Sequence, residues 1–168
     1  MLIGKHLCDP GTHFEYQRVG LQHGRARFIH KLGLDGIPAG AALPLSVVFP
    51  APLQAPLQSS AELLSAIPLN GEDTRHLAIQ PGEPQITIQP DGLSARVSSS
   101  LSLPADSPAA SRIWVLAVAY NAAGEPVGMR RWESAQALAP GASQELLLNV
   151  YSAGGLIERV EVFAEALR

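Results

Sequence analysis

Arg112 to Asn121 reads RIWVLAVAYN, an apolar run closed at each end by a polar residue. At the two-residue period of a strand, Trp114, Leu116, Val118 and Tyr120 fall on one face and Val115, Ala117 and Ala119 on the other. Both faces are apolar, which predicts a central strand covered on both sides.

Outward from this run the period stays near two, with turn residues at short intervals. About seven strands are expected. Eight segments are candidates for them: a first one near Leu63 to Leu69, then Arg75 to Gln80, Gln85 to Gln89, Ser94 to Leu103, Arg112 to Asn121, Val127 to Glu133, Ser143 to Tyr151 and Leu156 to Ala166. Asn70-Gly71, Pro81-Gly82, Pro90-Asp91-Gly92, Ala123 to Pro126, Pro140-Gly141 and Gly154-Gly155 supply the turns between them. Gly124 and Gly141 suit positive φ, and Asn121 suits an Asx-type turn. A helix fits only at Ala61 to Ile67, and there it is short. The last strand sets Val160, Val162 and Ala164 against Arg159, Glu161, Phe163 and Glu165, one face buried and one solvated. The expected core comprises Trp114, Leu116, Val118, Tyr120, Leu146, Leu148, Val160 and Val162.

The clearest boundary is FPAPLQAPLQSS, Phe49 to Ser60, where Pro50, Pro52 and Pro56 forbid a helix and favour an extended connector. Three regions follow: a partial β repeat at 1–49, a Pro-rich linker at 50–60, and a β-sandwich at 61–168. The repeat rests on IPAGAALPLSVVF (Ile37 to Phe49) returning as LAPGASQELLLNVY (Leu138 to Tyr151), Gly40 over Gly141 and Ala41 over Ala142. Backwards, Gly24 falls over Gly124, His30 and Lys31 near Arg130 and Arg131, and Phe14 and Tyr16 over Trp114 and Leu116. Residues 14–49 then hold only a few strands of a second copy. Such strands expose edges, and a homodimer through them is expected.

WVLAVAYNAAGEPVG, Trp114 to Gly128, resembles the FxLYD-type immunoglobulin-like (fibronectin-III-like) domains of bacterial and archaeal surface proteins. Tyr120, Ala123, Gly124, Val127, Gly128, Pro140 and Gly141 match that pattern. Asn121 stands where the family usually has Asp, and Trp114 and Leu116 replace its aromatic and leucine spacing. The resemblance covers roughly residues 90 to 165, with a partial second match at 14–49. It implies an immunoglobulin-like sandwich on an envelope protein with tandem domains. It implies no chemistry.

Composition bounds the function classes. Of 168 residues, 46% are hydrophobic and 16% charged, with a net charge of -3. That is too apolar for a disordered tail and too weakly charged for a general nucleic-acid binder. A single cysteine, Cys8, excludes an intrachain disulfide framework and a multi-cysteine zinc site. No apolar run reaches the ~18 residues of a membrane span, so direct membrane insertion is not expected. MLIGKHLCDPG lacks the hydrophobic centre of an export signal. An extracytoplasmic or cell-surface location is expected if the natural chain extends upstream.

Five groups carry side chains capable of chemistry. His6, His13, His23 and His30 crowd the N-terminus with Cys8 between the first two, and His6, Cys8 and His13 offer imidazole and thiolate to a metal, at no standard zinc spacing. Arg130-Arg131 beside Trp132, with Arg112 and Arg96, suggests an anion or base site, although neighbours on a strand face opposite ways. Glu145, Glu158, Glu161 and Glu165 read as solvated carboxylates, and Asn70, Glu72 and Asp73 as an acidic turn short of calcium ligands. The Ser98 to Ser100 run has no base nearby in sequence, and no nucleophile elbow, phosphate loop, zinc-protease helix or dinucleotide fingerprint occurs. No catalytic, cofactor or metal residue is assigned. The expectation is a non-catalytic interaction or spacer module, not an enzyme; the alternative is a metal- or ligand-binding protein using the His-rich N-terminal segment.

Overall fold

The computed structural model describes residues 74–134 and 136–168 in full and, ahead of them, the backbone of seven short strands. The chain divides into two compact units, Met1–Glu72 and Asp73–Arg168. The strands of the first are β1 (Leu2–Lys5), β2 (His13–Glu15), β3 (Val19–Gly20), β4 (Gly36–Ile37), β5 (Pro44–Val47), β6 (Glu62–Leu63) and β7 (Ile67–Leu69). β1 pairs with β5, β2 with β4 and β7, and β3 with β6, all antiparallel. The linker at 50–60 lies outside the described residues, as do Gly24, His30, Lys31, Gly40 and Ala41 of the repeat.

The second unit is an all-β antiparallel sandwich. Its strands are β8 (His76–Leu77), β9 (Gln80–Pro81), β10 (Gln85–Ile88), β11 (Ser94–Ser102), β12 (Arg112–Tyr120), β13 (Pro126–Glu133), β14 (Ser143–Tyr151) and β15 (Arg159–Leu167). One sheet runs β13-β12-β15-β8; the other runs β10-β11-β14, with β9 pairing the far end of β11. No helix forms among the described residues, and Glu62–Leu63, where a short helix fitted the sequence, is strand.

Sequence and structure agree closest on the long strands. β14 spans Ser143–Tyr151 as expected, and β12 is central, flanked by β13 and β15. The β12–β13 turn follows from its residues. The Asn121 side-chain Oδ1 accepts from Glu125 N at 2.9 Å, Asn121 N donates to Glu125 O at 3.0 Å, and Gly124 takes φ +76°. Gly141 likewise takes φ +71°.

Three elements differ, the first being the expected strand from Leu63 to Leu69, which is split into β6 and β7 and pairs with β3 and β2 respectively. The expected strand from Arg75 to Gln80 is broken into β8 and β9, which serve different sheets: β8 pairs with β15 and β9 with β11. The last strand begins at Arg159 rather than Leu156. Before it, Ile157 N donates to Gly92 O and Glu158 N to Tyr120 O, each at 2.8 Å, so this stretch spends its hydrogen bonds on a loop and a strand end.

The inter-sheet core holds Val97, Leu101 and Leu103 of the β11 region and Leu146, Leu148 and Val150 of β14. From the facing sheet it takes Ile113, Val115, Ala117, Ala119, Val160 and Ala166. Trp114, Leu116, Val118 and Tyr120 are buried too, but on the opposite face of β12. Of the expected core, Leu146, Leu148 and Val160 lie between the sheets, and Val162 is half-buried against them.

Candidate functional site

The outward face of the four-stranded sheet is where the second unit concentrates aromatic and charged side chains. Its middle column is Trp114, Leu116, Val118 and Tyr120 on β12. The register flanks these with Glu133, Arg131 and Met129 of β13 and with Glu165, Phe163, Glu161 and Arg159 of β15. All four residues of the β12 column are buried, and over the two rings long neighbouring side chains contribute to the cover.

Guanidinium groups take that role over the rings. Arg131 lies 4.7 Å and Arg112 5.5 Å from the Trp114 ring centroid, and Arg159 lies 4.0 Å from that of Tyr120. Each is placed to meet the negative ring face. Arg112 also meets Glu133 at 3.4 Å, and Arg159 pairs with Glu161. Arg112, Glu133, Arg159 and Glu161 are all substantially exposed, so these pairs orient side chains more than they stabilise the fold.

Three polar side chains on this face are buried. Burial pushes the Tyr120 phenol up to about 12, the Glu161 carboxylate adds to this by charge and hydrogen bonding, and Arg159 opposes it. Trp114 Nε1 is buried and has no hydrogen-bond partner among the described residues. At the end of β15, Glu165 is only 8% exposed and meets His76 Nδ1 at 3.1 Å. This contact ties the short strand β8 to the sheet.

The sequence-predicted groups are therefore distributed as follows. Arg112 and Arg131 do come together, over Trp114. Arg130 lies on the opposite face of β13, and Arg96 is on β11 in the other sheet, opposite Thr87 and Asn149. The four cations do not converge on one ligand. Trp132 packs against the inter-sheet core instead of pairing with the arginines. Among the glutamates, Glu145 and Glu158 are exposed as expected, whereas Glu165 is buried and engaged with His76. Ser99 is buried and donates to Gly82 O at 2.9 Å, which accounts for its hydroxyl. His6, Cys8, His23, His30 and the acidic turn Asn70, Glu72 and Asp73 lie outside the described residues; of His13 only its backbone, in β2, is described. Among the described residues no group of three His, Cys, Asp or Glu side chains is placed to hold a metal ion. No helix of the described residues is long and apolar enough to cross a membrane.

The His76–Glu165 contact was not legible in sequence, since the two residues are far apart and each is ordinary in its neighbourhood. The arginine cover on Trp114 had a weak signal: Arg112 and Arg131 flank apolar strands at outward positions. Comparison with protein-family models, with curated proteins and with solved structures finds no match for this chain.

Proposed function

We propose that the chain is a non-catalytic interaction or spacer module, an immunoglobulin-like domain of the FxLYD kind from an envelope protein with tandem domains. The observation that carries this reading is the outward face of the β13-β12-β15 sheet, where Trp114 and Tyr120 sit under Arg112, Arg131 and Arg159 within a rim of Glu133 and Glu161. Tryptophan, tyrosine and arginine are the residues over-represented where protein interfaces concentrate their binding energy. Their side chains here are already ordered by ring stacking and ion pairs, which lowers the entropy lost when a partner docks.

The test is site-specific photocrosslinking in source cells. A photoreactive residue replacing Arg131 should give an adduct of defined mass, whereas one replacing Arg96, on the other sheet, should not. Equal labelling at the two positions, or none at Arg131, would sink the assignment of this face. An immunoblot of fractionated cells tests the envelope assignment: a band well above 17.8 kDa in the envelope fraction is expected.

A further inference from the structure

β10 is an edge strand with one side open. β11 pairs with it along Gln85 to Ile88, and no other strand of the described residues hydrogen-bonds to it. The backbone phase is readable from Gln89, whose N donates to Ser94 O at 2.9 Å on the β11 side. At the two-residue period Gln85 and Thr87 also point N–H and C=O at β11, so Ile86 and Ile88 point theirs off the sheet. Side chains follow the register: Ile86 and Ile88 stand opposite Val97 and Ala95 of the inter-sheet core, and Gln85 and Thr87 opposite Ser98 and Arg96 on the outward face. Ile88 packs against the core, whereas Ile86 stays 36% exposed, so the core is left uncovered at this inward-facing isoleucine. Edge strands ordinarily carry charges that deter a further strand. Gln85 to Gln89 reads QITIQ and carries none, and Pro84 and Pro90, which have no N–H to donate, close the window at its two ends.

We propose that β10 pairs antiparallel with β10 of a second copy of the chain, about a two-fold axis at Thr87, so that the β10-β11-β14 sheets of the two copies run on as one. QITIQ reads the same in both directions. Antiparallel pairing about Thr87 therefore sets Ile86 against Ile88, Gln85 against Gln89, and Thr87 against Thr87. The backbone phase agrees. Ile86 and Ile88, both pointing off the sheet, form hydrogen-bonded pairs with each other across the axis, and Thr87 meets its counterpart in the closer, non-hydrogen-bonded kind of pair. Shifted centres fit worse. An axis at Ile86 sets Ile88 against Pro84, one at Ile88 sets Ile86 against Pro90, and an axis between residues opposes backbone groups that point off the sheet to groups already turned to β11. In the Thr87 register Ile88 of the partner subunit covers Ile86, the isoleucine that the chain's own core leaves exposed. Beyond the prolines the same register brings Glu83 to the end where the partner's Asp91 lies, like charges that salt screens, so added salt should tighten the pair. This proposal goes beyond the outward-face reading, which concerns the other sheet, and does not depend on it.

The test is sedimentation velocity of the full chain over a wide concentration range, with cysteine crosslinking to read the register. The wild type is expected to reach twice the 17.8 kDa chain mass as concentration rises. Thr87→Lys puts two ammonium groups opposite each other on the axis and should raise the dimer dissociation constant by about tenfold. Thr87 is exposed, so this variant should keep its far-UV circular dichroism spectrum. In a Cys8→Ser background, Thr87→Cys should form an intermolecular disulfide on mild oxidation, because a non-hydrogen-bonded pair on the axis brings the two Cβ atoms within bridging reach. Gln85→Cys, which faces Gln89 of the partner subunit, should crosslink far more slowly. A wild type that stays monomeric overturns the proposal. So does a dimer that Thr87→Lys leaves as tight, since another surface, such as residues 14–49, then holds it. Equal crosslinking at the two cysteine positions overturns the Thr87 axis.

Discussion

The two sheets of the sandwich use their outward side chains differently. On β14, Leu146, Leu148 and Val150 are buried while Glu145, Leu147, Asn149 and Tyr151 between them are exposed. On β12 every residue from Ile113 to Tyr120 is buried. The first pattern names its core face by alternation; the second does not. Two apolar faces on one strand leave the choice between them to packing. The face with Ala117 and Ala119 turned inward, where small side chains let the opposite sheet approach, and the face with Trp114 and Tyr120 turned outward under arginines.

Substitutions on the two faces of β12 would break that contrast most directly. Trp114→Ala should destabilise the unit by about 3–5 kcal/mol, as for a large buried aromatic. Trp114→Phe should cost clearly less, because it also removes the buried, unpartnered indole N–H, a group worth about 1–3 kcal/mol when unsatisfied. Urea denaturation reads both, and equal losses would mean that the indole N–H has an acceptor in solution. A tryptophan emission spectrum typical of full exposure to water would contradict the burial itself.

The other sheet provides the comparison. Leu101→Ala, in the inter-sheet core, should cost about 2–5 kcal/mol, whereas Leu147→Ala, 55% exposed on the outward face of β14, should stay within about 0.5 kcal/mol. Similar losses at the two leucines would mean that the outward face of β14 is covered as that of β12 is.

A smaller effect is expected at the turn that sets β13 beside β12. Asn121→Ala loses the side-chain acceptor for Glu125 N, worth about 1 kcal/mol. Thermal melting checks this, and Asn121→Asp should recover only part of the loss, since it keeps the acceptor but replaces the amide that donates to Glu125 Oε2 at 2.9 Å with a like charge.

At neutral pH the smallest effect belongs to Tyr120 ionisation. Its phenol is raised from 10.0 to about 12 in the folded chain, so the unfolded chain ionises first as pH rises. The stability associated with this shift is present in full below pH 10 and falls progressively between pH 10 and about 12. Ultraviolet absorbance at the tyrosinate band should show one tyrosine titrating late, and Tyr120→Phe should abolish that late phase. A late phase that survives Tyr120→Phe belongs to another tyrosine and removes the assignment.

Much of the strand layout was legible because turn chemistry is local. Asn121 and Gly124 define their hairpin with nearby atoms, and the alternation of β14 encodes both its period and its buried side. The fragmentation near His76 was not legible. β8 and β9 separate because two distant strands each need a partner at that point, and a run of mixed polar and apolar residues does not encode that division. The candidate face was legible only in part. Arg112 and Arg131 stood out as cations near aromatics, but their meeting over Trp114 depends on β12 and β13 pairing with Trp114 opposite Glu133.

By itself the amino-acid sequence determined the all-β character of the described residues, their long strands, their turns and the apolar character of both faces of β12, since each depends on residues within a few positions of one another. Tertiary structure alone decided which face of β12 meets the other sheet, that Glu165 is buried against His76, and that β8 covers only the end of β15. These outcomes depend on which strands become neighbours. Two apolar faces of similar hydrophobic gain are distinguished only by the shapes and the long side chains that come to lie across from them.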